Sequence, residues 1–153
     1  MSQTDETSRP LPESFAQIVD DFLALSQPDR LQLLLEFSQG LPDLPARYAE
    51  HKDQMEPVPE CQSPVFVAVE VAHDPSHTVY VFFDAPREAP TTRGFAGILA
   101  EGLGGMAAEE VLAVPNDVPG RLGLNEAVSP LRLRGMAGML ARIKRQVSEA
   151  IVS

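Results

Sequence analysis

The one cysteine in this 153-residue chain, Cys61, sits in Pro57-Val58-Pro59-Glu60-Cys61-Gln62-Ser63-Pro64, a proline-rich stretch that runs straight into Val65-Phe66-Val67. A thiol attacks as its thiolate, and an unperturbed cysteine, with a pKa of ~8.5, is only a few per cent ionised at neutral pH. To serve as a nucleophile it needs a nearby cation, a helix N-terminus or help from a partner molecule. Glu60 beside it works the other way, since a neighbouring carboxylate disfavours the thiolate. Two readings stay open at this point. Cys61 is either a small hydrophobe packed at the start of a strand, or a side chain projected by a loop that its flanking prolines stiffen.

Other chemistries find less to work with. The histidines are His51, His73 and His77. The last two are four apart, but Asp74-Pro75 between them breaks any shared helical face, so no structural metal site of the usual Cys/His kind is expected. No Gly-x-Ser-x-Gly elbow is present, and Cys61 has no histidine in a recognisable catalytic context. Gly102-x-Gly104-Gly105 falls at the end of a helical pattern, where glycines terminate a helix rather than cradle phosphate. A single cysteine also excludes an intrachain disulfide, which agrees with a reducing compartment.

Net charge is −10 and unevenly placed. Up to Ser76 there are 14 acidic and 4 basic residues, whereas from His77 onward there are 8 of each. An acidic front half repels phosphate backbones, so no nucleic-acid partner is expected, and it steers toward a basic protein surface. No apolar run approaches the ~20 residues a membrane-spanning helix needs. Met1 to Arg9 is polar and mixed in charge, so it does not read as a secretory signal, and a cytoplasmic protein is expected.

Residues 1–11 lack periodicity and read as a disordered leader, with one domain over 12–153. Phe15, Ile18, Val19, Phe22 and Leu23 follow the spacing of an amphipathic helix beginning near Pro12 or Glu13. Ser26 is placed to cap a second helix, with Pro28 in its first turn and Gly40 at its end. Five prolines between Leu41 and Pro64 forbid regular structure over most of that span, apart from a short helix within Leu44 to Glu50. Val65 to Val71 alternates as a strand and Thr78 to Asp84 supplies its hairpin partner. Two strands are marginal, so a third is expected, though no pattern locates it. Helices follow over residues 89–103 and Ala107 to Val114. Val114 to Leu124 reads as loop, and a last helix after Ser129-Pro130 buries Met136, Met139, Leu140, Ile143 and Val147. Its exposed side would carry Arg142, Lys144 and Arg145 near the C-terminal end, where cations suit the helix dipole. The expected fold is α+β, a single domain with N- and C-terminal helices packed on a small antiparallel sheet.

Residues from about 13 to 150 resemble the SufE family of sulfur-acceptor proteins. The amphipathic opening followed by Gly40-Leu41-Pro42 carries part of the likeness. Its most telling part is Val58-Pro59-Glu60-Cys61-Gln62-Ser63-Pro64-Val65-Phe66, similar to that family's cysteine, Gln-Ser and hydrophobic strand. Asp84-Ala85 followed by Arg93-Gly94, and Leu131-Arg132-Leu133-Arg134-Gly135-Met136 at the entry to the last helix, complete it. The resemblance implies a SufE/IscU-like fold and a protein with no cofactor of its own. Its partner would be a SufS-like, pyridoxal-phosphate cysteine desulfurase, whose persulfide sulfur passes to Cys61 and on to a downstream iron–sulfur scaffold complex. It also implies that Arg132 lies near the acceptor loop, where a guanidinium stabilises thiolate or persulfide; the alternative for Arg132 is a surface residue capping the last helix. Arg93 is expected to be structural, pairing with Asp84 or a helix end, and Gln62 and Ser63 to fix the loop backbone. A reading from a different class is a non-catalytic acidic adaptor with a packed Cys61. A scaffold that assembles clusters itself fits least, because one cysteine is too few to hold a cluster.

Overall fold

The structure, a computed structural model, describes residues 11–152. The expected leader 1–11 therefore lies outside the described residues, except for Leu11, which packs against the core. The opening apolar spacing forms α1 (Glu13–Leu23), which buries Phe15, Ile18, Val19 and Phe22. Leu23, expected on the same stripe, is 50% exposed, because the helix ends there and the chain turns away. Helix α2 (Gln27–Gly40) carries proline in its first turn as expected. Ser26 does occupy the N-cap position, but its side chain makes no cap bond; its carbonyl accepts from the Arg30 N–H at 2.8 Å instead. A four-residue α3 (Ala46–Ala49) and a single 3₁₀ turn (Lys52–Gln54) occupy the proline-rich span.

The third strand is β1 (Glu56–Pro57), which pairs antiparallel with β2 (Phe66–Val71) in the register Glu56↔Val67 and Pro57↔Phe66. On its other side β2 pairs antiparallel with β3 (Val79–Asp84), giving the order β1-β2-β3. A proline strand of two residues is tolerated because it lies at the edge, where a missing N–H breaks no ladder. The alternation in β2 divides its side chains between two layers. Val65 and Val67 enter the main core, while Ala68, with Phe66 beside it, joins Tyr48 and Met55 on the opposite face.

The chain continues through α4 (Pro90–Leu103), α5 (Ala108–Ala113), the short α6 (Val118–Arg121) and α7 (Pro130–Val152). Helix α6 falls where only loop was expected, with Pro119 in its first turn. Seven helices on one three-stranded antiparallel sheet, among the described residues, make the α+β fold that the sequence leads one to expect. Helix α7 buries Met136, Met139, Leu140, Ile143 and Val147 as its spacing requires.

Arg93 corrects one expectation and meets its alternative. It is buried, and Asp84 pairs instead with Lys52 at 3.2 Å. The Arg93 guanidinium donates to the carbonyls of Ser38 at 3.0 Å, Ala85 at 2.6 Å and Leu41 at 3.4 Å. It thereby ties the C-terminal end of α2 to the segment after β3, using the fork of donors that only arginine supplies.

Candidate functional site

Cys61 lies in the loop between β1 and β2, so the proline-rich stretch is the tip of a hairpin. Its base is closed by the Val58 N–H donating to the Val65 carbonyl at 2.9 Å, and both valines are buried. The Cys61 N–H donates to the Val58 carbonyl at 3.1 Å, which turns the chain so that the thiol faces inward. Pro59, Gln62 and Pro64 stay exposed while Cys61 is only 8% exposed. The thiol donates to the Gly135 carbonyl on α7 at 3.7 Å, a weak bond of the kind sulfur makes.

The loop can lie this close because α7 is bare there. A Cβ at Gly135 would meet Cys61 Sγ at 3.1 Å, and one at Gly138 would meet the Glu60 side chain at 2.7 to 3.0 Å. Spacing of i, i+3 puts both glycines on one face of the helix, under the loop. A small cleft of about 40 Å³ opens beside the thiol, walled by Cys61, Ser63, Thr92, Arg132 and Gly135. A water-sized group needs roughly 10–15 Å³, so the cleft has room for about three such groups.

Arg132, expected near the loop, does line this cleft, with an exposed side chain. It stands in the first turn of α7, the positive end of the dipole, where a cation caps nothing. Ser129 holds that end instead, its Oγ accepting from the Arg132 N–H at 3.3 Å.

The cation that acts on the thiol electrostatically is a different one. Arg142 was expected on the solvated face of the last helix, yet its side chain is only 20% exposed. Its Nη1 lies 2.9 Å from Glu60 Oε1, and its Nε lies 3.4 Å from Glu56 Oε2. Glu56 also accepts from Arg145, and from Gln146 Nε2 at 3.0 Å. Lys144 likewise turns back, donating to the Val114 carbonyl at 2.7 Å. A sequence signal for Arg142 did exist: Gly135, Gly138 and Arg142 are spaced i, i+3, i+7, one stripe of a helix. Thr92, buried at the back of the cleft, had no such signal.

Burial pushes the Cys61 thiol up to about 11, the Glu60 carboxylate adds to the rise, and Arg142 opposes it. Among the described residues, no group of three or more His, Cys, Asp or Glu side chains is arranged to hold a metal ion. No helix among them is long and apolar enough to cross a membrane.

A family model for the SufE Fe–S metabolism associated domain matches residues 16–147. The chain belongs to the SufE family. Uncharacterized SufE-like proteins from two strains of Mycobacterium tuberculosis are 56% identical over 140 residues, covering 92% of this chain and 95% of theirs. A SufE-like protein of Arabidopsis thaliana, named chloroplastic/mitochondrial, is 26% identical over 89% of this chain and 35% of its own length. Among solved structures, a hypothetical protein from Thermus thermophilus superposes with a TM-score of 0.81 at 38% identity, covering 94% of this chain and all of that one. The SufE domain thus spans the hairpin, the cleft and most of α7.

Burial of the thiol in this SufE-family chain is expected to make stability depend on pH. Its folded value, about 11, lies well above that of an unburied thiol. Below the unburied value both folded and unfolded chains hold the proton. Between the two values the unfolded chain releases it first, so stability falls as pH rises through this window. The expected loss is about 2 kcal/mol. Urea unfolding of wild type and Cys61→Ala at pH 8 and near pH 11 checks it: the wild type should lose that much more than the variant.

Proposed function

We propose that this protein accepts sulfur on Cys61 from the persulfide of a SufS-like cysteine desulfurase, stimulates that enzyme, and passes the sulfur to iron–sulfur cluster assembly. The observation that carries the reading is the placement of the sole cysteine. It stands at the tip of a hairpin loop, turned inward onto a glycine-faced helix, with a small pocket beside the sulfur. Membership of a family associated with Fe–S metabolism supports the same reading.

The step is a thiol–persulfide exchange. Cys61 loses its proton, and the thiolate attacks the outer sulfur of the donor's Cys–S–SH. A new S–S bond forms as the old one breaks, and the donor cysteine leaves as a thiolate that takes up a proton. The product is Cys61–S–SH, and no outside oxidant or reductant is consumed. With a thiol held at about 11, roughly one molecule in ten thousand carries the thiolate at pH 7. Lifting the loop out of its seat restores water around the sulfur and brings it back toward the few per cent of a free cysteine. The closed form is therefore quiet, and docking on the donor switches the thiol on. Once back in the cleft, a persulfide is screened from stray thiols and oxidants, and Arg132 at its mouth supplies a charge to steady the anion. Such a carrier suits a reducing, cytoplasmic compartment, where an unpaired thiol persists.

The burial of Cys61 also suits the adaptor reading, in which the thiol only packs. Intact-mass measurement separates the two. Incubation with a cysteine desulfurase and free cysteine should add about 32 Da, one sulfur, to this chain. An unmodified mass beside an active desulfurase leaves the adaptor.

A further inference from the structure

We propose that Glu60 and Arg142 form a latch that holds the Cys61 loop shut on α7, and that the loop opens when this ion pair breaks. What such a latch regulates rests on the acceptor reading above; the existence of the latch does not.

The argument begins at the tip of the hairpin. Val58 and Val65 anchor its base in the core, but neither restrains a tip that swings about that base. Two polar contacts join the tip to α7. One is the thiol on the Gly135 carbonyl at 3.7 Å, which is weak. The other is Glu60, both of whose oxygens lie within 3.0 Å of Arg142 Nη1. The partner is itself fixed. Arg142 Nη1 also donates to the Gly138 carbonyl at 3.2 Å, and its Nε faces Glu56 on β1 at 3.4 Å. The guanidinium therefore bridges the strand before the loop, the loop itself and the helix beneath. Gly138 completes the seat, because any side chain there would collide with Glu60. With side-chain exposures of 36% and 20%, the pair is partly withdrawn from water, unlike the exposed ion pairs that contribute nothing measurable. Glu60, which also lines the cleft, and Arg142 are thus positioning residues that act through Cys61 by holding its loop.

Alkylation of Cys61 by iodoacetamide in the native full-length protein reads the open population without any desulfurase, so its failure is separate from failure of sulfur transfer. Glu60→Gln and Arg142→Gln should each speed labelling about tenfold or more, and the double variant should label no faster than the faster single one. Charge alone predicts a different pattern. Removing Glu60 would speed labelling by easing ionisation of the thiol, whereas removing Arg142 would slow it. Slower or unchanged labelling of folded Arg142→Gln overturns the latch, and so does a double variant whose rate is the product of two independent gains. Hydrogen exchange across residues 58–65 gives a second reading, blind to the charge of the thiol. It should rise in Glu60→Gln, a variant that leaves Arg142 its hydrogen bond to Gly138 and its ion pair with Glu56, and exchange equal to wild type overturns the proposal.

Discussion

Replacing Cys61 with serine is expected to leave a folded protein that takes up no sulfur. The chain has one cysteine in 153 residues, so no second thiol can rescue the transfer. A serine hydroxyl is not ionised near neutral pH and forms no stable counterpart of a persulfide. Sulfur uptake should therefore drop from one atom per chain to none, and desulfurase turnover to its rate without this protein. The structural cost is small. Serine keeps a donor in the same place, but oxygen is smaller than sulfur and stands too far from the Gly135 carbonyl for a good bond, given 3.7 Å to the present sulfur. About 1–2 kcal/mol should be lost, a few degrees in melting temperature. Intact mass, desulfurase turnover and a thermal melt on one preparation check all three points. A serine variant that still stimulates the desulfurase like wild type would falsify the relay.

The elements that the sequence made legible are those whose own side chains carry the pattern. Helices α4 and α7 bury the residues their periods call for, α1 buries all of its stripe but Leu23, and β2 and β3 pair as their alternation implies. Strand β1 was invisible because Glu56 and Pro57 have no strand preference of their own. They are extended because β2 offers a free edge, with Glu56 held by Arg145 and Gln146 on α7. The loop around Cys61 announced itself through its prolines, but the inward turn of the thiol did not. That direction depends on two glycines more than 70 positions further on. Arg142 misled for the same reason. Read from the sequence it is one of three cations toward the end of a helix, but α7 runs on to Val152 and none of the three lies in its last turn, so the dipole does not account for it. Its partner Glu60 is 82 positions away in sequence, and only the packing of the hairpin on α7 joins them. Local patterns report what a residue does within its own element, and the site lies in the contact between two.

Helix α4 walls the back of the cleft through Thr92, and its position is set by an unusually close approach to α2. Gly94 and Gly97, one helical turn apart, face the Leu34 and Phe37 backbone. A Cβ at Gly94 would stand 2.5 Å from the Leu34 carbonyl oxygen, and one at Gly97 would overlap the Phe37 oxygen and sit 2.9 Å from its carbonyl carbon. These obstacles are backbone atoms, so no rotamer change can relieve the clash and the helices must part. Parting them strips contacts from Leu34, Phe95 and Ile98, all buried in the core, and it pulls at the three carbonyl bonds of Arg93. Gly97→Ala should therefore cost at least about 3 kcal/mol, roughly 10 °C in melting temperature. Helix propensity alone points the opposite way, since alanine is favoured over glycine inside a helix by roughly 0.5–1 kcal/mol. Gly40, at the end of α2, isolates that term because a Cβ there meets nothing within 4 Å. Gly40→Ala should melt at or slightly above the wild-type temperature. Thermal melts of the two variants side by side decide the point. Equal stability for Gly97→Ala and wild type would mean that α2 and α4 do not meet backbone to backbone, and that some other contact keeps Thr92 in the wall of the cleft.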